Sequence, residues 1–106
     1  MINYFQIKES KLVPINHYEK NCWISVVSPT DAELQQLLRD FPLAEDYVNY
    51  PLDMDEKARI EKDEDAFFVL MRMPHFVGLK EEIPFTTIPL GIILTKDNII
   101  SICKED

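Results

Sequence analysis

Glycine is almost missing from this chain: Gly78 and Gly91 are the only two in 106 residues. Two isolated glycines cannot build a phosphate-cradling loop, which excludes the P-loop and dinucleotide-binding patterns. Cysteine is equally scarce. Cys22 and Cys103 lie far apart and match no zinc-ligand spacing. They read as two small buried thiols, with a bridge between them as the open alternative. Basic residues are few, eleven Lys and Arg against nineteen Asp and Glu, for a net charge of −8. They are also scattered, so phosphate backbones are repelled and no nucleic-acid partner is expected. Long hydrophobic runs are absent as well. Stretches 67–73 and 89–94 are strand-sized and well short of the roughly 18 residues of a membrane helix. The opening Met1-Ile2-Asn3-Tyr4 has no signal-peptide character, which points to a reducing, cytoplasmic setting.

What remains is ordinary globular material, 46% apolar and 28% charged. A chain of this length buries roughly 65% of its unfolded surface, enough for one core and not for two. The expectation is therefore a single domain over 1–106. Residues 4–8 and 11–15 flank Glu9-Ser10 and predict a hairpin, with Pro14 placing its second strand at an edge or a bulge. Residues 22–27 read as a more central strand, with Trp23 as a core anchor. Thr30, followed three residues later by Glu33, forms a capping-box signature, and Leu34, Leu37, Leu38 and Phe41 then repeat at helical spacing.

A shorter helix is expected over 44–49, closed by Pro51 because the residue before a proline is biased out of the helical region. Asp53, Asp55 and Glu56 follow as an exposed acidic connection. A second hairpin pairs 58–62 with 67–73 about Asp63-Glu64-Asp65, and its Phe-Phe-Val-Leu-Met run suggests burial on both faces. His75-Phe76-Val77 extends that strand past Pro74, and a loop follows around 78–82. Residues 85–95 and 99–103 make a third hairpin turned by Lys96-Asp97-Asn98. Strands, then helices, then strands predict an α+β domain with a mixed, largely antiparallel sheet and helices packed against it.

Chemistry is sparse. His17 and His75 are far apart and read as surface or packed histidines, and no nucleophile–base arrangement is visible, so no catalytic residue is assigned. Carboxylates are the one plausible functional group. Asp53-x-Asp55-Glu56 and Asp63-Glu64-Asp65 offer hard oxygen ligands suited to Mg2+ or Ca2+, although neither fits the calcium-loop pattern. Three acids in a turn are more often simply solvated. Arg59 pairs most naturally with a nearby carboxylate, Glu61 on its own strand face, clipping the acidic connection to the sheet.

An ordered series of motifs resembles the amino-terminal cytoplasmic domain of CorA-type magnesium transporters. It runs through Trp23-Ile24-Ser25-Val26, Pro29-Thr30-x-x-Glu33-Leu34 and Leu52-Asp53-x-Asp55-Glu56-x-x-Arg59-Ile60-Glu61. Phe68-Val69-Leu70-Met71-Arg72-Met73-Pro74 and Pro89-Leu90-Gly91-Ile92-Ile93-Leu94 continue it, covering nearly the whole chain. The resemblance implies a homopentamer on the cytoplasmic side of the inner membrane, beneath a pore that moves Mg2+, with Co2+ and Ni2+ as alternative ions. It implies inter-subunit Mg2+ that favours a closed state. The pore helices and their Gly-Met-Asn motif would lie past Asp106, so this piece alone would transport nothing. Aligned without gaps, Tyr50 stands where a sensing carboxylate is expected. Asp46 and Asp53 are the nearest carboxylates and take the regulatory metal assignment. Their partner carboxylate would come from the missing helix, which makes metal binding by the isolated domain weak. Two alternatives belong to other classes: a stand-alone acidic interaction module docking a basic partner, and a small metal-dependent hydrolase, which no local histidine supports.

Overall fold

In β1 (Ile2–Lys8) and β2 (Lys11–Ile15), Lys8 faces Lys11 across the two-residue turn Glu9-Ser10. Both turn residues have positive φ, 52° and 65°, the backbone sign that a two-residue hairpin matched to strand twist requires at both central positions. The coordinates are a computed structural model, in which residues 1–41, 43–80 and 85–104 are described.

β3 (Trp23–Val27) follows, then α1 (Asp31–Asp40), α2 (Glu45–Asn49) and a 3₁₀ turn (Tyr50–Leu52). The chain closes with β4 (Arg59–Lys62), β5 (Ala66–Phe76), β6 (Phe85–Thr95) and β7 (Ile99–Cys103). All seven strands join one sheet in the order β2-β1-β3-β7-β6-β5-β4. Every neighbouring pair is antiparallel except β3 and β7, which run parallel at the centre. The expected α+β architecture with a mixed, largely antiparallel sheet is the one observed, and Pro14 lies in edge strand β2, where its missing N–H does no harm.

Local chemistry starts α1. The Glu33 amide donates to Thr30 Oγ1 at 3.2 Å and the Thr30 amide donates to Glu33 Oε1 at 2.9 Å. The amino terminus adds to this knot, with Met1 N at 2.7 Å from the Val27 carbonyl and 3.1 Å from Glu33 Oε1. The Glu33 carboxyl is held below its usual range, first by the Thr30 backbone hydrogen bond and then by the terminal ammonium. Leu37 is the buried residue of the helix, with Leu34, Leu38 and Phe41 packed beside it.

The core lies between these helices and one face of the sheet. Ile24, Val26, Ile100, Ile102, Ile93 and Phe68 have no accessible surface at all, and Tyr47 and Val48 of α2 cover them. The Tyr47 ring stacks on Phe68, centroids 4.7 Å apart and planes within 5°. Cys22 and Cys103 are both buried thiols, with no disulfide between them.

Three expectations need correction. Pro51 does not end the helical segment. Tyr50 keeps helical angles (φ −55°, ψ −44°), and the chain continues through the 3₁₀ turn with Pro51 in its first turn, where a missing N–H costs nothing. Contacts hold the disfavoured geometry: Pro51 is buried directly over Gly91, where a Cβ would meet Pro51 Cγ at 2.1 Å. Secondly, β5 is not buried on both faces. Ala66, Phe68 and Leu70 are buried, whereas Phe67 and Met71 are 47% and 41% exposed, because the helices cover one side only. Thirdly, Trp23 belongs to that other side. It is half-buried, its ring centroid 4.9 Å from Phe5 and its indole Nε1 donating to Ser101 Oγ at 2.8 Å, and it anchors no core. β5 does run past Pro74 to Phe76, as expected, and of the expected loop around 78–82, residues 81 and 82 lie outside the described residues.

Candidate functional site

The acidic connection between the 3₁₀ turn and β4 is held from both ends. Asp53 begins it: its carboxylate Oδ1 accepts from the Asp55 amide at 3.0 Å, and its carbonyl accepts from the Glu56 amide at 3.1 Å. These local bonds fold 53–56 into a tight turn, the habit of aspartate in loops. Arg72 then reaches over from β5. Its Nη1 donates to the carbonyls of Met54 and Glu56 at 3.0 and 2.9 Å, while Nε and Nη2 donate to the hydroxyl and carbonyl of Thr87, both at 3.0 Å. The planar fork of an arginine suits such multiple docking, and a lysine would not reproduce it.

Arg59 secures the other end. Its Nη1 lies 2.6 Å from Glu56 Oε2 and 3.2 Å from the Lys57 carbonyl, and Nε lies 3.6 Å from Glu61 Oε1. The guanidinium also sits 4.2 Å from the Tyr50 ring centroid, a cation–π contact. Glu56, rather than the expected Glu61, is therefore its principal partner. The Glu56 hydrogen bond is also the main reason the Arg59 pKa is raised, keeping the group charged. Glu56 is half-buried by this contact, so it does not belong to the exposed acids of the connection.

Asp46 lies in the first turn of α2 and Asp53 at the start of the connection, both exposed. Among the described residues no three His, Cys, Asp or Glu side chains converge as a metal cage. The carboxylates present suit Mg2+ in a narrower way. That ion commonly keeps several waters and takes only one or two carboxylates from a protein, so Asp46 and Asp53 would serve as single ligands of a site completed by other donors. The second acidic motif has a structural use: Asp63 Oδ1 accepts from the amides of Asp65 and Ala66, both at 2.8 Å, and closes the β4–β5 turn. His17 is exposed in the loop after β2, and His75 lies in β5.

Sequence reasoning did not single out Arg72. Its one signal was a lone cation in the apolar stretch 67–73, and its contacts lie 15 to 18 residues away along the chain. A cleft of about 350 Å³ lies beside the β6–β7 turn between Tyr18, Asp40, Asp65 and Asp97. Beside it Asn98 is buried and donates to the Tyr18 hydroxyl at 2.9 Å.

Comparison with known proteins places the fold. Residues 18–106 match the family described as CorA-like Mg2+ transporter protein. The cobalt/magnesium transport protein CorA of Methanocaldococcus jannaschii is 32% identical over 101 residues, 94% of this chain and 30% of that protein. The solved soluble domain of CorA from the same organism superposes with a TM-score of 0.77 at 25% identity, covering 100% of this chain and 41% of that one. The ZntB cytoplasmic domain from Vibrio parahaemolyticus RIMD 2210633 shares the fold, with a TM-score of 0.70 at 14% identity over 98% of this chain and 43% of that one. The chain thus spans less than half the length of these relatives. With a family match over most of its length and the soluble-domain fold throughout, the chain belongs to the CorA-like Mg2+ transporter family.

Proposed function

We propose that this chain is the cytoplasmic, divalent-cation-sensing part of a CorA-like Mg2+ transporter. The observation that carries the reading is the connection 53–57, an acidic segment fixed by two arginines within a fold of that family. Arg72 and Arg59 spend their hydrogen bonds on backbone carbonyls, the Thr87 hydroxyl and Glu56, with Glu61 as a looser ion-pair partner of Arg59, and leave Asp46 and Asp53 exposed for a hydrated cation. The net charge of −8 raises the local concentration of cations. In the assembled transporter, a homopentamer on this reading, a second subunit or a later part of the chain supplies the remaining donors. Mg2+ then binds more tightly to the closed assembly than to the open one, and internal Mg2+ shifts the population toward closed. A tenfold difference in affinity, about 1.4 kcal/mol, shifts that balance tenfold per site. This piece carries no pore and moves no ion by itself.

The test is Mg2+ control of transport in the complete protein. Asp46→Ala and Asp53→Ala each weaken inhibition by internal Mg2+, shifting the half-inhibitory concentration upward several-fold. Unchanged inhibition in both variants removes the site assignment.

A further inference from the structure

Where α1 ends, the chain gathers acids around aromatic rings. The cleft of about 350 Å³ beside the β6–β7 turn receives carboxylates from three separate parts of the sequence. Asp40 is the last residue of α1, Asp65 precedes β5, and Asp97 belongs to the turn itself. Tyr18 and Phe41 give the cleft an aromatic wall, their rings edge to face with centroids 5.4 Å apart. The negative end of the α1 dipole adds to the carboxylates. Tyr4, also in the lining, feels this field: burial first, and then the charge of Asp40, push its phenol pKa up. Two lysines offset part of the charge. Lys20 Nζ stands 3.9 Å from Asp97 Oδ1 and Lys96 is exposed in the lining, whereas Asp40 and Asp65 form no salt bridge among the described residues.

Acids alone would be a solvated surface, but Asn98 adds a buried acceptor. It lines the same cleft and is only 8% exposed. Its Nδ2 donates to the Tyr18 hydroxyl at 2.9 Å, which fixes the side chain against the aromatic wall, and its Oδ1 is left buried with no donor. Such an unpaired acceptor is uncommon and costly, and a donor arriving from the cleft would satisfy it.

We infer that this cleft binds a short aliphatic diamine with both nitrogens protonated. The lining selects that chemistry. Carboxylates and the Asn98 oxygen only accept hydrogen bonds, so the ligand must donate them. No three carboxylates converge on one point among the described residues, which denies a bare metal ion its cage and suits two ammonium groups held apart by a chain. The Tyr18–Phe41 pair offers apolar surface to the methylenes and a ring face to an ammonium. A cleft of about 350 Å³ is at the small end of ligand pockets, which keeps the guest short. None of the residues assigned to metal sensing takes part, so the inference stands apart from that reading.

Equilibrium dialysis of the complete natural protein against labelled butane-1,4-diamine, at physiological salt, tests it. One saturable equivalent per chain is expected, and the double variant Asp40→Asn with Asp65→Asn weakens it by more than about tenfold. Glu45→Gln with Glu64→Gln removes the same charge from exposed positions outside the cleft and leaves binding unchanged. Butylamine, with one charge, binds to the parent protein more weakly by about tenfold or more. Absence of saturable diamine binding overturns the inference. So does equal weakening by the Glu45 and Glu64 pair, which would reduce the effect to diffuse charge, or equal affinity for butylamine. Loss of Mg2+ control of transport in the Asp40 and Asp65 double variant, with Mg2+ displacing the diamine from the parent protein, would make the cleft a divalent-ion site and also overturn it. The two readings fail separately. Absent diamine binding leaves Mg2+ control of transport in place, and Mg2+ inhibition unchanged by Asp46→Ala and Asp53→Ala leaves diamine binding intact.

Discussion

The two faces of one sheet are made from alternate residues of the same strands, yet they live in different solvents. Phe68 points to the helices, has no exposed surface and stacks on Tyr47; Phe67, one residue earlier, is 47% exposed and has Lys62 Nζ 5.1 Å from its ring. Both are apolar enough for a core. The difference teaches that composition along a strand sets how much can be buried, whereas the layers present decide what is. A strand apolar at both parities carries the chemistry for two covered faces, and here α1, α2 and the 3₁₀ turn supply one.

The sharpest way to break this comparison is to truncate each phenylalanine in the 106-residue chain. Phe68→Ala removes a fully buried ring and leaves a cavity, with an expected loss of about 3–5 kcal/mol in denaturant unfolding. Phe67→Ala on the open face should change stability by less than about 1 kcal/mol. Similar losses for both would mean that the open face is already covered in the isolated chain.

Gly91 tests how closely the helical layer sits. A Cβ there would lie 2.1 Å from Pro51 Cγ and 3.3 Å from the Phe68 ring, so Gly91→Ala must push the 3₁₀ turn off the sheet. The expected loss is about 1–3 kcal/mol, the usual result of overpacking, together with faster hydrogen exchange at Asp53, whose amide bonds the Tyr50 carbonyl. A neutral Gly91→Ala would contradict the close contact.

The smallest effect belongs to the helix start. Thr30→Ala removes the side-chain acceptor for the Glu33 amide and should cost about 1 kcal/mol. A pH signature accompanies the cap. The Glu33 carboxyl is lowered in the folded chain, so its contribution is fully present above the unfolded carboxyl range and fades as pH falls through the lower folded value. Glu33→Gln should therefore lower stability most at neutral pH and converge with the parent chain in acid, so that the acid limb measured by thermal unfolding is flatter.

Legibility in the sequence follows the range of the interactions. The capping box of Thr30 and Glu33, the Glu9-Ser10 turn and the alternating strands depend on neighbours within a few residues, and all could be read directly. Tyr50 could not, because a local rule about prolines yields to burial of Pro51 over Gly91, forty residues on. The same applies to Arg72, which looks like a stray charge in a strand until Met54, Glu56 and Thr87 are folded around it. Trp23 departs from its expected place for a related reason. Its size suggests a core, but strand parity assigns it to the face without helices, and parity acquires a direction only once the layers are known. For the proposed metal site, Asp46 and Asp53 are visible in the sequence as residue types, and the structure places both exposed without gathering a third ligand beside them among the described residues.

Hydrogen exchange across 53–57 in the complete protein, with and without Mg2+, tests the proposed sensing role most directly. The Asp55 and Glu56 amides bond to Asp53 within the turn that Arg72 clips down. If the connection presents carboxylates to Mg2+, saturating metal slows exchange at both amides and Asp53→Ala abolishes the slowing. Exchange there that ignores Mg2+, in a protein whose transport still responds to it, would place the sensor elsewhere and contradict the account.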